Sequence, residues 1–324
     1  MSRNVRVAGS LHEEGDNVGL HRFALFTACS TAFLIFVGGL VTSNQAGLSV
    51  PDWPTSYGWN MFTFPYSKWV GGIFYEHGHR LVASFVGFLT VILASWTWLR
   101  ENRLWVRVLS LVALIAVITQ GILGGLTVKY LLPTPISMTH ACLAQTFFCM
   151  TIALAYFTSP GWKRGTPWIR DRHNGIALST VCGLTTGAVY VQLLLGAWMR
   201  HTQSGLAIPD FPLAFGKLIP EFTDYHVGIH FAHRTGAVLV TAAILWTFFR
   251  LLRAHREDKL LMRPAIVLLG LLCVQLTLGA FTIWSEKSPL ITTAHVATGA
   301  LILGTSFLLT LRAFSIVVRE AAWQ

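Results

Sequence analysis

Four histidines occupy matching places in this chain: His79, His140, His233 and His295, each embedded in a long apolar stretch. An ionisable side chain in such a stretch is costly to bury and usually faces an interior site. Imidazoles from two facing helices can hold a planar cofactor between them, and imidazole is the usual axial ligand of haem iron. The surrounding Leu, Phe, Val and Gly suit a flat macrocycle. Zinc would ask for four tetrahedral N, S or O ligands at one place, and only Cys142 lies near any of these histidines in sequence. Copper or a di-iron carboxylate centre lacks its ligands, because Glu76 is the one acid in a helix body. A lone histidine of this kind would read as a helix–helix hydrogen bond. Four at repeat-matched positions read as two haem sites, His79 with His140 and His233 with His295.

The neighbours of these histidines differ between the halves. Glu76 stands three residues before His79, hence on the same helical face, whereas the matching residue before His233 is His230. A carboxylate beside a haem in an apolar setting can take a proton or stabilise developing positive charge. A salt bridge with Arg80 is the competing reading. Arg80 and Arg234 follow their histidines directly and can reach haem propionates by charge-assisted hydrogen bonds, or snorkel to the interface. His77 competes with His79 as a ligand, but its repeat partner is Phe231, so the repeat selects His79. Gln120 and Gln275, with small residues nearby, read as packing positions or as cofactor contacts. His12, His21, His173, His201, His226 and His255 read as solvated loop or tail histidines.

The elements that position these residues form a repeat. Gly47-Leu-Ser-Val-Pro-Asp-Trp-Pro54 returns as Gly205-Leu-Ala-Ile-Pro-Asp-Phe-Pro212, and Glu76-His-Gly-His-Arg80 as His230-Phe-Ala-His-Arg234. Gln120-Gly-Ile-Leu-Gly-Gly-Leu-Thr-Val128 returns as Gln275-Leu-Thr-Leu-Gly-Ala-Phe-Thr-Ile283, and Thr139-His140-Ala as Ala294-His295-Ala. Four blocks in one order, at an offset of 154 to 158 residues, mark a tandem duplication. Hydrophobic residues make up 53% and charged residues 12% of the 324-residue chain, which places it among membrane proteins. Eight stretches are long and apolar enough to span a bilayer: about 20–43, 72–99, 105–128, 135–158, 176–200, 227–250, 263–284 and 290–314. The expected fold is all-α: two tandem four-helix bundles, 1–158 and 176–324, joined by a cytoplasmic linker at 159–175. Four spans per half make the repeat parallel, about a pseudo-twofold axis along the membrane normal. Long outer loops at 44–71 and 201–226 carry Trp53, Trp59, Trp69, Phe211 and Phe215, either as interfacial aromatics or as a lid over a site.

The net charge of +10 is a topology signal and not a nucleic-acid surface. Seventeen basic residues, from Arg3, Arg6 and Arg22 through Arg312 and Arg319, fall on the side of both termini. Five fall on the other: Lys68, Lys129, Arg200, Lys217 and Lys287. The positive-inside rule then puts the termini in the cytoplasm and the histidines toward the outer face. All five cysteines fall inside expected spans, so no disulfide is expected. Glu13, Glu14 and Asp16 argue against a mitochondrial transit peptide, and the first span is too long for a signal peptide.

Taken together, these residues resemble the haem A synthase family of cytochrome oxidase assembly, over about residues 22 to 314. The resemblance rests on Gly47–Pro54, Glu76-His-Gly-His-Arg80, His140, His233-Arg234 and His295. It implies a cell (inner) membrane enzyme that oxidises the C8 methyl of haem O to the formyl group of haem A, by successive hydroxylations. It further implies that His79 and His140 hold haem O or haem A, with Glu76 as the essential carboxylate, and that His233 and His295 hold haem b. Haem O synthase is the implied partner, electrons leave to a membrane or soluble acceptor, and a homo-oligomer stays open. Many bacterial relatives carry an outer-loop cysteine pair; here both outer loops lack cysteine, which puts a thiol-based electron route in doubt. Two other classes remain to be weighed. A non-enzymatic dihaem b cytochrome between quinol and a partner explains the histidines but not the one-sided Glu76. A haem transporter would use Trp53, Trp59 and Trp69 to contact an exchangeable haem.

Overall fold

The computed structural model describes residues 18–164 and 176–321. Arg3, Arg6, Arg170, Arg172, His12, His173 and most of the expected linker lie outside them. Among the described residues there is no β-strand, and eight helices are long and apolar enough to cross a membrane. They are α1 (Val18–Ser43), α2 (Gly72–Arg100), α3 (Leu104–Lys129), α4 (Thr134–Phe157), α6 (Leu178–His201), α7 (Tyr225–Ala254), α8 (Lys259–Trp284) and α9 (Pro289–Ala321), with the short α5 (Pro160–Arg164) after α4. The chain is therefore a multi-pass membrane protein, and its large outward-facing side chains, such as Phe33, Phe88, Ile115 and Val238, are apolar.

Helix ends extend past the apolar windows where a polar residue caps them. Asp224 accepts from the N–H groups of His226 and Val227 at the start of α7, and Asp258 from Leu260 at the start of α8, satisfying donors the helix leaves free. Pro264 lies inside α8 and has no N–H to offer. The carbonyl four residues back, on Leu260, accepts instead from the Arg312 guanidinium of α9.

In the first four spans each helix packs on the next and α1 packs on α4; α6 to α9 repeat this cycle. Each set has its own apolar cluster. One joins Leu20, Val86, Leu93, Val106, Ala113, Phe147 and Leu154; the other joins Leu178, Val189, Ile244, Leu251, Leu268, Leu303 and Leu309. Both clusters lie toward the helix ends remote from the four histidines. The histidine end of the second set has a smaller cluster of its own, Ile208, Ala214 and Val227.

The two sets meet where α1 and α4 pack on α9 and α4 packs on α6. An added Cβ at Gly304 of α9 would come within 2.7 Å of Ile152 and 2.8 Å of Phe148 on α4, so a small residue is needed there for close helix approach. Polar ties cross the same seam: Thr146 with Tyr190 at 2.9 Å, Tyr156 with Ser315 at 2.7 Å, and Thr293 to Ser43 at 2.9 Å.

The loops after α1 and α6 are built alike. Tyr57 and Gly58 take positive φ, as do Phe215 and Gly216, and a carboxylate gathers their N–H groups. Asp52 accepts from Tyr57 (2.6 Å) and Gly58 (2.8 Å), and Asp210 from Phe215 (2.7 Å) and Gly216 (2.8 Å). Such turns need either glycine or a local acceptor to offset the left-handed backbone. The Gly216 N–H, then that of Phe215, holds the Asp210 carboxyl below the ordinary carboxylate range. At Asp52 burial works upward, but the Gly58 N–H, the Thr55 hydroxyl and the Tyr57 N–H overrule it, and the group also sits low.

Candidate haem sites

Each of the four histidines sits within the first turns of α2, α4, α7 or α9, and each side chain is half-buried. The Nδ1 atoms of His79, His140 and His295 are enclosed by protein and have no hydrogen-bond partner. The Nε2 atoms of His79 and His140 are neither enclosed nor hydrogen-bonded. His233 differs, with its Nδ1 3.1 Å from Nε2 of Gln192, which also donates to the His233 carbonyl at 2.8 Å. Gln120 donates to the His140 carbonyl at 2.8 Å, and the Gln275 amide lies 3.3 Å from His295 Nε2. Both glutamines therefore touch the histidine of the next helix.

The donor set discriminates between metals. Among the described residues no three His, Cys, Asp or Glu side chains gather as a metal site, so four-ligand zinc is not served. Two imidazoles per set, three of the four with an Nδ1 that no protein group bonds, fit an ion that brings its own equatorial ligands, as haem iron does.

Glu76 is 4% exposed and holds the outer loop. Its Oε2 accepts from the Val50 N–H at 2.8 Å, and its Oε1 from Arg80 at 2.7 Å. Arg80 also donates to the carbonyls of Val50, Asp52 and Thr55 at 2.7 to 3.0 Å. In the second set, Ile208 N–H points at His230 Nδ1 (3.1 Å), Arg234 Nε at His230 Nε2 (3.2 Å), and the other Arg234 nitrogens at the carbonyls of Leu213, Ile208 and Asp210. Of five guanidinium N–H groups, each arginine keeps one.

His230 cannot do all that Glu76 does. A neutral imidazole accepts at one nitrogen only, yet two donors converge on it. His230→Glu is expected to satisfy both and raise the thermal stability of the second set by about 1 kcal/mol. Heating the purified variant while following its haem absorbance checks this; a lower midpoint would mean that the imidazole already satisfies its neighbours.

Other histidines are placed differently from their sequence reading. His77 is fully buried between Phe64 and Trp69, 3.1 Å from the Ser56 hydroxyl. His21, His201 and His226 lie within helices, and His255 is buried at the end of α7. None of these four is a free loop histidine, because polar helix ends look like loops in composition. His21, for one, bonds the Ala155 carbonyl at 2.9 Å.

Arg200 and Gln192 escaped the sequence reading. Arg200 was counted only as an outer charge, but one of its terminal nitrogens ties α6 to α1 through Gly39 O (3.1 Å) and Ser43 Oγ (2.8 Å). It has no carboxylate partner among the described residues. Gln192 falls outside the four repeated blocks, so the repeat could not flag it. Trp53 of the loop after α1 lies against Gly125 of α3, where a Cβ would stand 2.4 Å from the indole. This brings the loop down beside the His140 region.

Comparison with known proteins shows the family. The family model COX15-CtaA, cytochrome oxidase assembly protein, matches residues 21–307. A Heme A synthase of Shouchella clausii is 26% identical over 277 residues, covering 84% of this chain and 89% of that protein. One from Halalkalibacterium halodurans is 28% identical over 273 residues, covering 80% and 83%. A third, from Symbiobacterium thermophilum, is 32% identical over 254 residues, covering 75% and 78%.

Proposed function

The chain belongs to the COX15-CtaA family of cytochrome oxidase assembly proteins, and on that premise we infer that it is a haem A synthase. It is a membrane oxidoreductase that takes haem O as substrate and oxidises its C8 methyl to the formyl group of haem A. The observation that carries this reading to particular residues is the pair of half-buried imidazoles in each set, with Nδ1 of His79, His140 and His295 left without a protein partner. Bound haem b would supply one-electron redox chemistry in the second half, 176–324, held by His233 and His295. His79 and His140 hold the substrate in the first half, 1–158, with Glu76 as the catalytic carboxylate. The two halves are related by a pseudo-twofold axis along the membrane normal, as the sequence repeat indicates.

The haem propionates need cations. Arg80 and Arg234 each keep one N–H for that purpose beyond their loop bonds. Arg200, at the junction of the sets and with no acid beside it, is the third. Haem O synthase is the partner that supplies substrate, and the site of action is a bacterial cell membrane.

Extracting the haems from purified protein and separating them by chromatography tests the assignment. Haem O or haem A alongside haem b is expected. Haem b alone would instead favour a dihaem cytochrome, with Glu76 reduced to its hydrogen bonds with Val50 and Arg80.

Orientation follows from the charge asymmetry. Reporter fusions at Lys163 and Lys259 are expected to read cytoplasmic, and fusions at Lys68 and Lys217 external. Reversal at both members of either pair would overturn the topology.

A further inference from the structure

Every one of the four histidines faces a glycine of the preceding transmembrane helix. A Cβ built on Gly38 of α1 would stand 3.1 Å from Cε1 of His79, and one on Gly124 of α3 would stand 3.3 Å from Cε1 of His140. On Gly196 of α6 and Gly279 of α8 it would stand 3.2 Å from Cε1 of His233 and of His295 respectively. Nδ1 is the next nearest atom each time, at 3.5 to 3.8 Å. The same Cε1–Nδ1 edge therefore meets the neighbouring backbone four times, with Nε2 farther off, at 3.8 Å for His79 and beyond 4 Å for the other three. The contact is specific to these glycines: at Gly78, Gly87, Gly121 and Gly270, also within spans, a Cβ would meet nothing within 4 Å.

We propose that Gly38, Gly124, Gly196 and Gly279 are positioning residues of the haem sites, each giving one imidazole the space that sets its rotation and depth. The inference rests on the reading that these histidines ligate haem. Interiors pack without slack, so one added methyl displaces its neighbour. Here the neighbour that must give is a ring at the end of a rotatable side chain, and the helices need not move. A metal-bound imidazole that is tilted or shifted binds its metal more weakly and alters its electronic state.

The test uses full-length protein in detergent or nanodiscs, with alanine placed at each position. Gly196→Ala and Gly279→Ala are expected to shift the low-spin electron paramagnetic resonance signal and midpoint potential of haem b, leaving the other haem unchanged. Gly38→Ala and Gly124→Ala are expected to do the reverse. Gly87→Ala and Gly270→Ala should leave both haems as in the wild type. Wild-type signals and potentials in Gly196→Ala and Gly279→Ala would overturn the proposal, provided that His233→Ala loses haem b; retention of haem b in His233→Ala would instead defeat the ligand assignment. Should Gly196→Ala fail to accumulate, the double variant Gly196→Ala/His233→Ala decides. Recovery of accumulation shows that the methyl conflicts with the imidazole, and continued failure shows that the glycine serves helix packing and sinks the proposal.

Discussion

Glu76→Gln is expected to retain bound haem O, with His79 and His140 still in place, while forming haem A about a hundredfold more slowly, a loss on the order of 3 kcal/mol of transition-state stabilisation. Oxidising a methyl group on a macrocycle builds positive charge at that carbon as electrons leave. A fixed carboxylate in a low-dielectric pocket opposes that charge without reorganising, which is where electrostatic catalysis gains most. The difficulty is that Glu76 also has a structural task, holding Val50 N–H and Arg80. The second half shows how to separate the two, since His230 faces the same loop donors with no carboxylate. Glu76→His should therefore keep the loop in place with one hydrogen bond fewer, as in the second set, and substrate haem bound, yet fall at least as far in haem A formation as Glu76→Gln. Single-turnover conversion of haem O, beside the haem content of each variant, measures both. Normal conversion in Glu76→His would make Glu76 a loop anchor and nothing more.

The parts of this protein that could be read from sequence are those with long or repeated signals. Eight spans were legible because about 20 consecutive apolar residues leave few alternatives; seven lie within four residues of their expected ends, and α9 runs on to Ala321, seven residues past 314. The misplaced ends have a physical cause. The window opening at 263 missed the start of α8 at Lys259 because Asp258 and a charged first turn lower the hydropathy while favouring the helix. The histidines stood out through duplication, not through their immediate neighbours. Contacts made by residues far apart, with no charge or periodicity to mark them, stayed hidden. Gly38 meets His79 across two helices, and no pattern in either segment announces it. Arg200 was read as a surface charge because sequence gives its end of the helix but not the face it turns toward α1. The clamp of Arg80 on three loop carbonyls was missed for a related reason, since backbone acceptors leave no trace in residue type.

His233→Ala and His295→Ala are each expected to abolish the low-spin haem b spectrum while leaving substrate haem bound, and His79→Ala and His140→Ala to do the opposite. Six-coordinate haem between two imidazoles loses its low-spin character when either is removed, so the effect is all-or-none at the affected site. What makes the experiment informative is the grouping of phenotypes. His79 and His140 lie on α2 and α4 of the first set, and His233 and His295 on α7 and α9 of the second. Yet α1 also packs on α9, bringing the seam between the sets close to His295 through Thr293. A haem bridging that seam would make His79→Ala and His295→Ala share a phenotype. Pairing within the sets makes His79 group with His140 instead, and reduced-minus-oxidised spectra of the four variants, with pigment extraction, distinguish the two. A shared phenotype for His79→Ala and His295→Ala would refute the division of labour between the halves, and with it the assignment of substrate to one and haem b to the other.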